Sequence, residues 1–147
     1  MERKQTVTEK SLEYWEKKAN CARASVCGIL TFNDKESLCD PFYKAMLPMG
    51  GGFGEGLVCG AVTGSLAALS LILAEKGLED KEIAKKVKIW KKDFKDKFET
   101  FTCYELIDEF RDESGKIDLK MPGRREKCTE IVISGVTSTQ QIINSIK

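Results

Sequence analysis

Six cysteines and no histidine occur in this chain of 147 residues. A cysteine thiolate is the ligand of iron–sulfur clusters and tetrathiolate metal sites, and it is also the nucleophile of thiol–disulfide exchange. The absence of histidine excludes His-ligated haem and mixed cysteine–histidine metal sites. The residue types therefore predict redox or metal chemistry at sulfur.

Two of the cysteines occupy sequence positions where a thiol should ionise easily. Cys59 follows a glycine run in the first turns of a predicted helix, and Cys103 opens another helix if Thr102 is its N-cap. Helix N-termini favour a thiolate over a thiol, because their N–H groups are unpaired. Cys128 follows a basic stretch at 124–127, whose positive charges would also favour a thiolate.

The spacing of the cysteines does not form a local motif. No Cys-x-x-Cys pair occurs, which weighs against a structural zinc finger and against a thioredoxin-like dithiol. Taken singly, each cysteine is better explained as a small buried apolar residue than as a functional thiol. Four cysteines from four helices can nevertheless converge at one end of a bundle, where an iron–sulfur cluster or a tetrathiolate metal would fit.

Charge and composition set the expected environment. The charged residues 1–18 lack the pattern of a secretory signal, so we expect a cytoplasmic location in which disulfides do not persist. The 24 basic and 23 acidic residues give a net charge of +1, which predicts no attraction to nucleic acid or to a membrane surface. The lysines at 85–97 are interpreted as a solvated helix face.

Hydrophobic periodicity predicts an all-α fold, a compact bundle of five or six helices around an apolar central helix. A single cysteine-rich domain should span residues 1–147, as its length suits one core. The expected helices cover about 8–30, 33–43, 56–74, 80–101, 102–110 and 124–145. In this scheme Cys21 lies on the flank of the first helix.

The central segment 56–74 carries no charge, which raises the question of a membrane span. Gly56, Gly60 and Gly64 repeat at the four-residue spacing that packs helices tightly. Hydroxyl side chains and glycines make the segment only moderately hydrophobic, and no aromatic belt flanks it. We therefore expect a buried helix and no membrane span.

A glycine run at 50–54 precedes this helix. Such a cluster lets the backbone approach another group closely and predicts positive φ angles. We expect the loop to place backbone N–H groups near Cys59 or its ligand.

The order of four motifs is similar to that of a known family. The motifs are Cys21-Ala22-x-Ala24, GGGFGEGLVCGAVTG at 50–64, Phe98-x-x-Phe101-x-Cys103, and Lys127-Cys128. Over residues 14–136 they resemble the C-GCAxxG-C-C family of redox-active proteins, which is named for four cysteines. The resemblance implies that the family cysteines here are Cys21, Cys59, Cys103 and Cys128, while Cys27 and Cys39 are structural or incidental.

Three functions follow from these residues and the resemblance. The leading hypothesis is a small cytosolic redox protein in which Cys21, Cys59, Cys103 and Cys128 bind an iron–sulfur cluster for electron transfer. The alternatives are a metal-free thiol–disulfide or sulfur-transfer protein, and a structural metal-binding interaction module. Haem is not expected, because no Cys-x-x-Cys-His attachment site occurs. The expected partner is an electron or thiol donor or acceptor protein, and small helical bundles of this kind often form homodimers.

Overall fold

A computed structural model describes residues 5–146, and helices account for most of them. The seven α-helices of this part of the chain are α1 (Val7–Glu16), α2 (Cys21–Phe32), α3 (Cys39–Ala45), α4 (Gly60–Glu75), α5 (Asp80–Phe98), α6 (Cys103–Leu106) and α7 (Arg124–Ser145). Two isolated β-bridges are the only extended pairings among the described residues. The predicted all-α fold is confirmed; the predicted domain also includes 1–4 and Lys147, which lie outside the described residues.

The single helix predicted over 8–30 is wrong, because the chain turns between α1 and α2. Lys18 adopts a left-handed conformation with φ of 66°. Asn20 then caps α2, its side-chain oxygen accepting the backbone N–H of Arg23 at 2.8 Å. An N-cap amide satisfies an N–H that the first helical turn leaves unpaired, so a new helix begins here. Cys21 is consequently the first residue of α2.

Asn33 ends α2 and does not cap the next helix. Its side-chain nitrogen donates to the carbonyl of Ile29 at 2.7 Å and to the side chain of Gln140 at 2.8 Å. After one tight turn, α3 begins at Cys39 and includes Pro41 in its first turn. A proline is tolerated there, because the N–H that it lacks would have no partner in the helix.

The start of α5 at Asp80 agrees with the prediction. Its capping box is formed by Glu79 and Glu82. Thr102 occupies the N-cap position of α6, as expected, but its side chain makes no capping hydrogen bond. Helix α6 nevertheless begins at Cys103, as expected.

Helices α2 and α4 lie at the centre of the bundle. From Ala22 to Leu30, every residue of α2 except Arg23 is buried. The predicted apolar helix, α4, packs against α2, α5 and α7. Within residues 5–146, no helix has both the length and the apolar character needed to cross a bilayer.

Small residues allow these helices to approach each other closely. A Cβ atom on Gly64 of α4 would overlap the carbonyl oxygen of Ala22 in α2, and one on Gly60 would overlap the sulfur of Cys21. Glycines of α4 therefore lie directly against the backbone of α2 and against the Cys21 sulfur. The glycine spacing noted in the sequence thus serves helix packing inside the protein.

A disulfide between Cys27 and Cys39 joins α2 to the start of α3, with Cα atoms 5.2 Å apart. The expectation that no disulfide persists is therefore wrong for this pair. The two cysteines are separated by 12 positions in the sequence. A cross-link over a loop of this length stabilises a fold by about 3 kcal/mol, because it lowers the conformational entropy of the unfolded chain. These two cysteines thus have a structural role in holding α3 against α2.

The α2–α4 contact predicts different outcomes for two glycine substitutions. In Gly64→Ala the new methyl group meets rigid backbone, so overpacking of about 1–3 kcal/mol should outweigh the gain of about 1 kcal/mol in helix propensity. In the control, Gly135→Ala, the nearest atom is the Ser65 hydroxyl at 3.0 Å, on a side chain that can move. Urea unfolding should show Gly64→Ala to be the less stable variant. Equal stabilities would contradict the close backbone contact.

Candidate functional site

Four cysteines line one cavity of about 560 Å³, namely Cys21, Cys59, Cys103 and Cys128. They come from the start of α2, the residue before α4, the start of α6 and the second turn of α7. All four are free thiols; Cys59 is buried and the other three are half-buried. The structure thus brings the predicted site residues together, while their role in binding a cofactor remains a prediction.

A short backbone pairing places Cys59 beside Cys103. The β-bridge between Val58 and Thr102 joins the segment before α4 to the segment before α6. The backbone N–H of Cys59 also donates to the carbonyl of Phe101 at 2.8 Å. Two cysteines that are far apart in sequence are therefore held at adjacent positions by main-chain hydrogen bonds.

The glycine run forms a left-handed turn in which residues 51–54 have φ angles of 62° to 70°. Positive φ in this run is therefore confirmed. Phe53 is the only residue of the turn that is not glycine, and a left-handed conformation costs such a residue about 1–2 kcal/mol. The turn directs the N–H of Gly51 to the sulfur of Cys21, a neighbour of Cys59 in the site.

A thiol–thiol hydrogen bond dominates the electrostatics of the site. The Cys59 thiol donates to the sulfur of Cys21 and lowers the pKa of Cys21 from 9.0 to about 6, although burial opposes this shift. Backbone N–H groups of Gly51 and Gly60 act in the same direction. Cys21 also begins α2, where the helix end favours negative charge. At neutral pH, Cys21 is therefore mainly a thiolate.

The other three thiols have raised pKa values. The pKa of Cys59 is raised because this thiol donates to Cys21 and is buried. Burial raises the pKa of Cys103 to about 11. Burial also raises the pKa of Cys128, although the Arg124 guanidinium at 3.5 Å from its sulfur opposes the shift. The expectation that Cys59 and Cys103 ionise easily is wrong, because the hydrogen bond to Cys21 together with burial raises the pKa of Cys59, and burial raises the pKa of Cys103.

The aromatic and cationic groups at the cavity were missed as site residues in the sequence. Trp15, which periodicity assigns to the core, also lines the cavity. The Arg125 guanidinium lies 4.2 Å from the centre of its ring and donates to its backbone carbonyl at 2.7 Å. Arg124 donates from Nε to the carbonyl of Leu119 at 2.9 Å. In the sequence, the feature that indicated a role for these arginines at the site was their closeness to Cys128.

The thiols do not form a ready-made metal site. Among residues 5–146, no three cysteine or carboxylate side chains are grouped closely enough to hold one ion. A metal–sulfur bond is only about 2.3 Å long, so ligands of one ion must lie almost in contact with each other. The present arrangement of the sulfurs therefore does not form a site for a single tetrathiolate metal ion.

The ionisation of Cys21 predicts how alkylation should depend on pH. Because only the thiolate reacts, iodoacetamide should modify Cys21 with a midpoint near pH 6, well below the ordinary thiol value of 9.0. Cys59→Ala removes the thiol donor and should raise the midpoint. Cys103→Ala is the matched control and should leave it low, because Cys103 donates no hydrogen bond to Cys21. Peptide mass spectrometry measures the rate at each pH, and a midpoint unaffected by Cys59→Ala would contradict the proposed hydrogen bond.

Comparison with known proteins agrees with the arrangement of the thiols. A family model described as "Putative redox-active protein (C_GCAxxG_C_C)" matches residues 19–142, a range that contains all four cavity cysteines. Neither a curated protein nor a solved structure matches the sequence. The family model covers most of the chain. This protein therefore belongs to the C_GCAxxG_C_C family.

Proposed function

We propose that this redox-active protein performs thiol–disulfide exchange, with Cys21 as the attacking thiolate and Cys59 as the resolving thiol. The observation that carries the proposal is the pairing of these two thiols at the start of α4, where the Cys21 sulfur packs against Gly60, the residue after Cys59, and where Cys59 lowers the pKa of Cys21. It joins a sulfur that is ionised at neutral pH to a second sulfur in contact with it. A dithiol site requires this combination of a nucleophile and an adjacent partner.

The reaction has two displacements. The Cys21 thiolate attacks one sulfur of a substrate disulfide, and the other substrate sulfur leaves with the bonding electron pair and takes up a proton. Cys59 then loses its proton and attacks the Cys21 sulfur, which releases the second substrate thiol and closes a Cys21–Cys59 disulfide. The substrate disulfide gains two electrons, and the two cysteines lose two.

The difference between the two pKa values assigns these roles. The rate of attack follows the thiolate fraction, which is high for Cys21 because its pKa is about 6. The raised pKa of Cys59 keeps its proton in place, so that it can donate to Cys21 before the first step. Once the mixed disulfide has formed, the negative charge on Cys21 is gone. The electrostatic cause that raises the pKa of Cys59 then disappears, and Cys59 ionises more readily.

An iron–sulfur cluster on Cys21, Cys59, Cys103 and Cys128 is the second candidate. It is favoured by the shared cavity of the four thiols. A cluster would supply one-electron transfer, with these four residues as its ligands. A visible band that bleaches with dithionite after anaerobic purification, with iron and sulfide in the preparation, would favour the cluster. Bound zinc without this band would favour the structural metal module.

Several expectations from the sequence stay predictions. These are the cytoplasmic location, the partner protein that donates or accepts thiols or electrons, and the homodimer. In this exchange reaction one molecule of the protein reduces one substrate disulfide and is itself oxidised. Catalytic turnover would require a second thiol that reduces the Cys21–Cys59 disulfide again.

A resolving role for Cys59 predicts a trapped intermediate. Cys59→Ala should accumulate a mixed disulfide at Cys21 when a small disulfide is added, because the thiol that is paired with Cys21 is gone. The reaction should be run above pH 8, since the pKa of Cys21 rises in this variant. Intact-mass and peptide mass spectrometry identify the adduct.

The matched control is Cys128→Ala, which also removes one cavity thiol. It should proceed to the Cys21–Cys59 disulfide as the unaltered protein does. If Cys59→Ala releases both substrate thiols as fast as the control, Cys59 is not the resolving cysteine.

A further inference from the structure

We infer that the Cys21–Cys59 pair acts on a small organic disulfide that has an apolar body and an anionic end. This inference rests on the proposed function and names its substrate class. The observations that support it are the enclosure of the sulfurs, the apolar walls of the cavity and the excess of cations around it.

The position of the sulfurs favours a small molecule over a protein disulfide. Cys59 is only 7 % exposed, and Cys21 is half-buried at the wall of the cavity. The half-cystines of a protein disulfide have Cα atoms about 5–6 Å apart, so their backbone would have to enter the cavity with the bond. The volume of about 560 Å³ lies within the range of small-molecule sites.

The cavity walls are mainly hydrocarbon. Its apolar lining residues include Trp15, Leu106, Ile107, Leu119 and Ile131. Leu106 and Ile107 adjoin the α6 thiol, Cys103, and Ile131 follows Cys128 by one helical turn. Methylene groups of a substrate would therefore be removed from water along these walls.

The charges at the cavity favour an anion. Lys18, Arg124 and Arg125 line it, and they outnumber the negative groups of the described lining residues, which are the Glu16 carboxylate and the Cys21 thiolate. Both arginines are held by hydrogen bonds to backbone carbonyls, which fixes their positive charges at this wall. A carboxylate on the substrate would meet this charge, whereas an ammonium group would be repelled.

The reaction of such a substrate needs no further oxidant. The substrate disulfide takes up two electrons and two protons and leaves as two small thiols, while Cys21 and Cys59 form a disulfide. The carboxylate takes no part in bond breaking. It serves to hold the apolar arms in the cavity with the S–S bond beside Cys21.

Three disulfides of different charge and length test this inference in the full chain. They are dithiodihexanoate, which is anionic with long apolar arms, dithiodipropionate, which is anionic and short, and cystamine, which is cationic. The rate of Cys21–Cys59 disulfide formation with each probe is divided by the rate of that probe with glutathione, which removes its intrinsic reactivity. The normalised rate with dithiodihexanoate should exceed that with cystamine by about tenfold or more, and the rate with dithiodipropionate should lie between them.

Two surface substitutions with matched controls test the walls. Leu119 is 56 % exposed, so Leu119→Glu adds a charge at the cavity without burying it, and the preference for dithiodihexanoate should fall about tenfold. The control Ile89→Glu, at a residue that is 54 % exposed on α5, should leave the preference unchanged. Lys18→Gln should weaken the preference for anions, whereas Lys17→Gln, next to the cavity lining, should not.

The outcomes separate the inference from the proposed function. Equal normalised rates for all three probes would overturn the inference, as would faster exchange with the disulfides of insulin. In both cases the low-pH alkylation of Cys21 would leave the exchange function standing. If Cys21 is not alkylated at low pH, the exchange function fails and the substrate class fails with it.

Discussion

The close approach of α2 and α4 is the constraint on which the site depends. Gly64 allows the two backbones to touch, and Gly60 leaves the space that the Cys21 sulfur occupies. A side chain at either position would push the helices apart and separate Cys21 from Cys59. The same stretch of chain, Cys59-Gly60-Ala61-Val62-Thr63-Gly64, thus forms both the helix contact and part of the thiol site. Cys59 supplies the thiol donor, and the next residue, Gly60, leaves room for the Cys21 sulfur that accepts its hydrogen bond.

Burial and hydrogen bonding divide the four thiols into two kinds. An apolar cavity disfavours every thiolate, so only a sulfur with several donors can stay ionised inside it. Cys21 has these donors in the thiol of Cys59 and in backbone N–H groups of the glycine turn and of α4. Each negative charge also raises the pKa of its neighbours, as it does for Cys103. The cavity therefore holds one thiolate among neutral thiols.

The sequence predicted those parts of the structure that depend on long periodic patterns. Helices α5 and α7 follow the spacing of their apolar residues, α4 follows the uncharged segment at 56–74, and the order of the cysteine motifs indicated which four thiols converge. The break between α1 and α2 was missed, because apolar spacing continues across a turn of four residues; Asn20 was the available signal. The ionisation of Cys21 depends on this break and on burial, neither of which a helix pattern reveals.

The pairing of Cys27 with Cys39 could not be derived from sequence, since spacing does not determine disulfide connectivity. The strained turn at Phe53 was only partly predictable. Glycine composition indicates positive φ, but it does not indicate that a phenylalanine shares that conformation. Such a residue is held in place by its surroundings, here by the glycines on both sides and by the hydrogen bond from Leu57 to Gly52 at 2.8 Å.

Helix α2 carries members of two separate sulfur systems. Cys21 lines the cavity, and Cys27 lies six residues later in the buried disulfide to α3. Six residues advance a helix by about 9 Å and turn it by about 600°, so the two sulfurs lie on different faces. Direct exchange between them would require the helix to unwind. The two sulfur systems are therefore separate, and a reaction at the cavity thiols leaves the disulfide that joins α2 to α3 untouched.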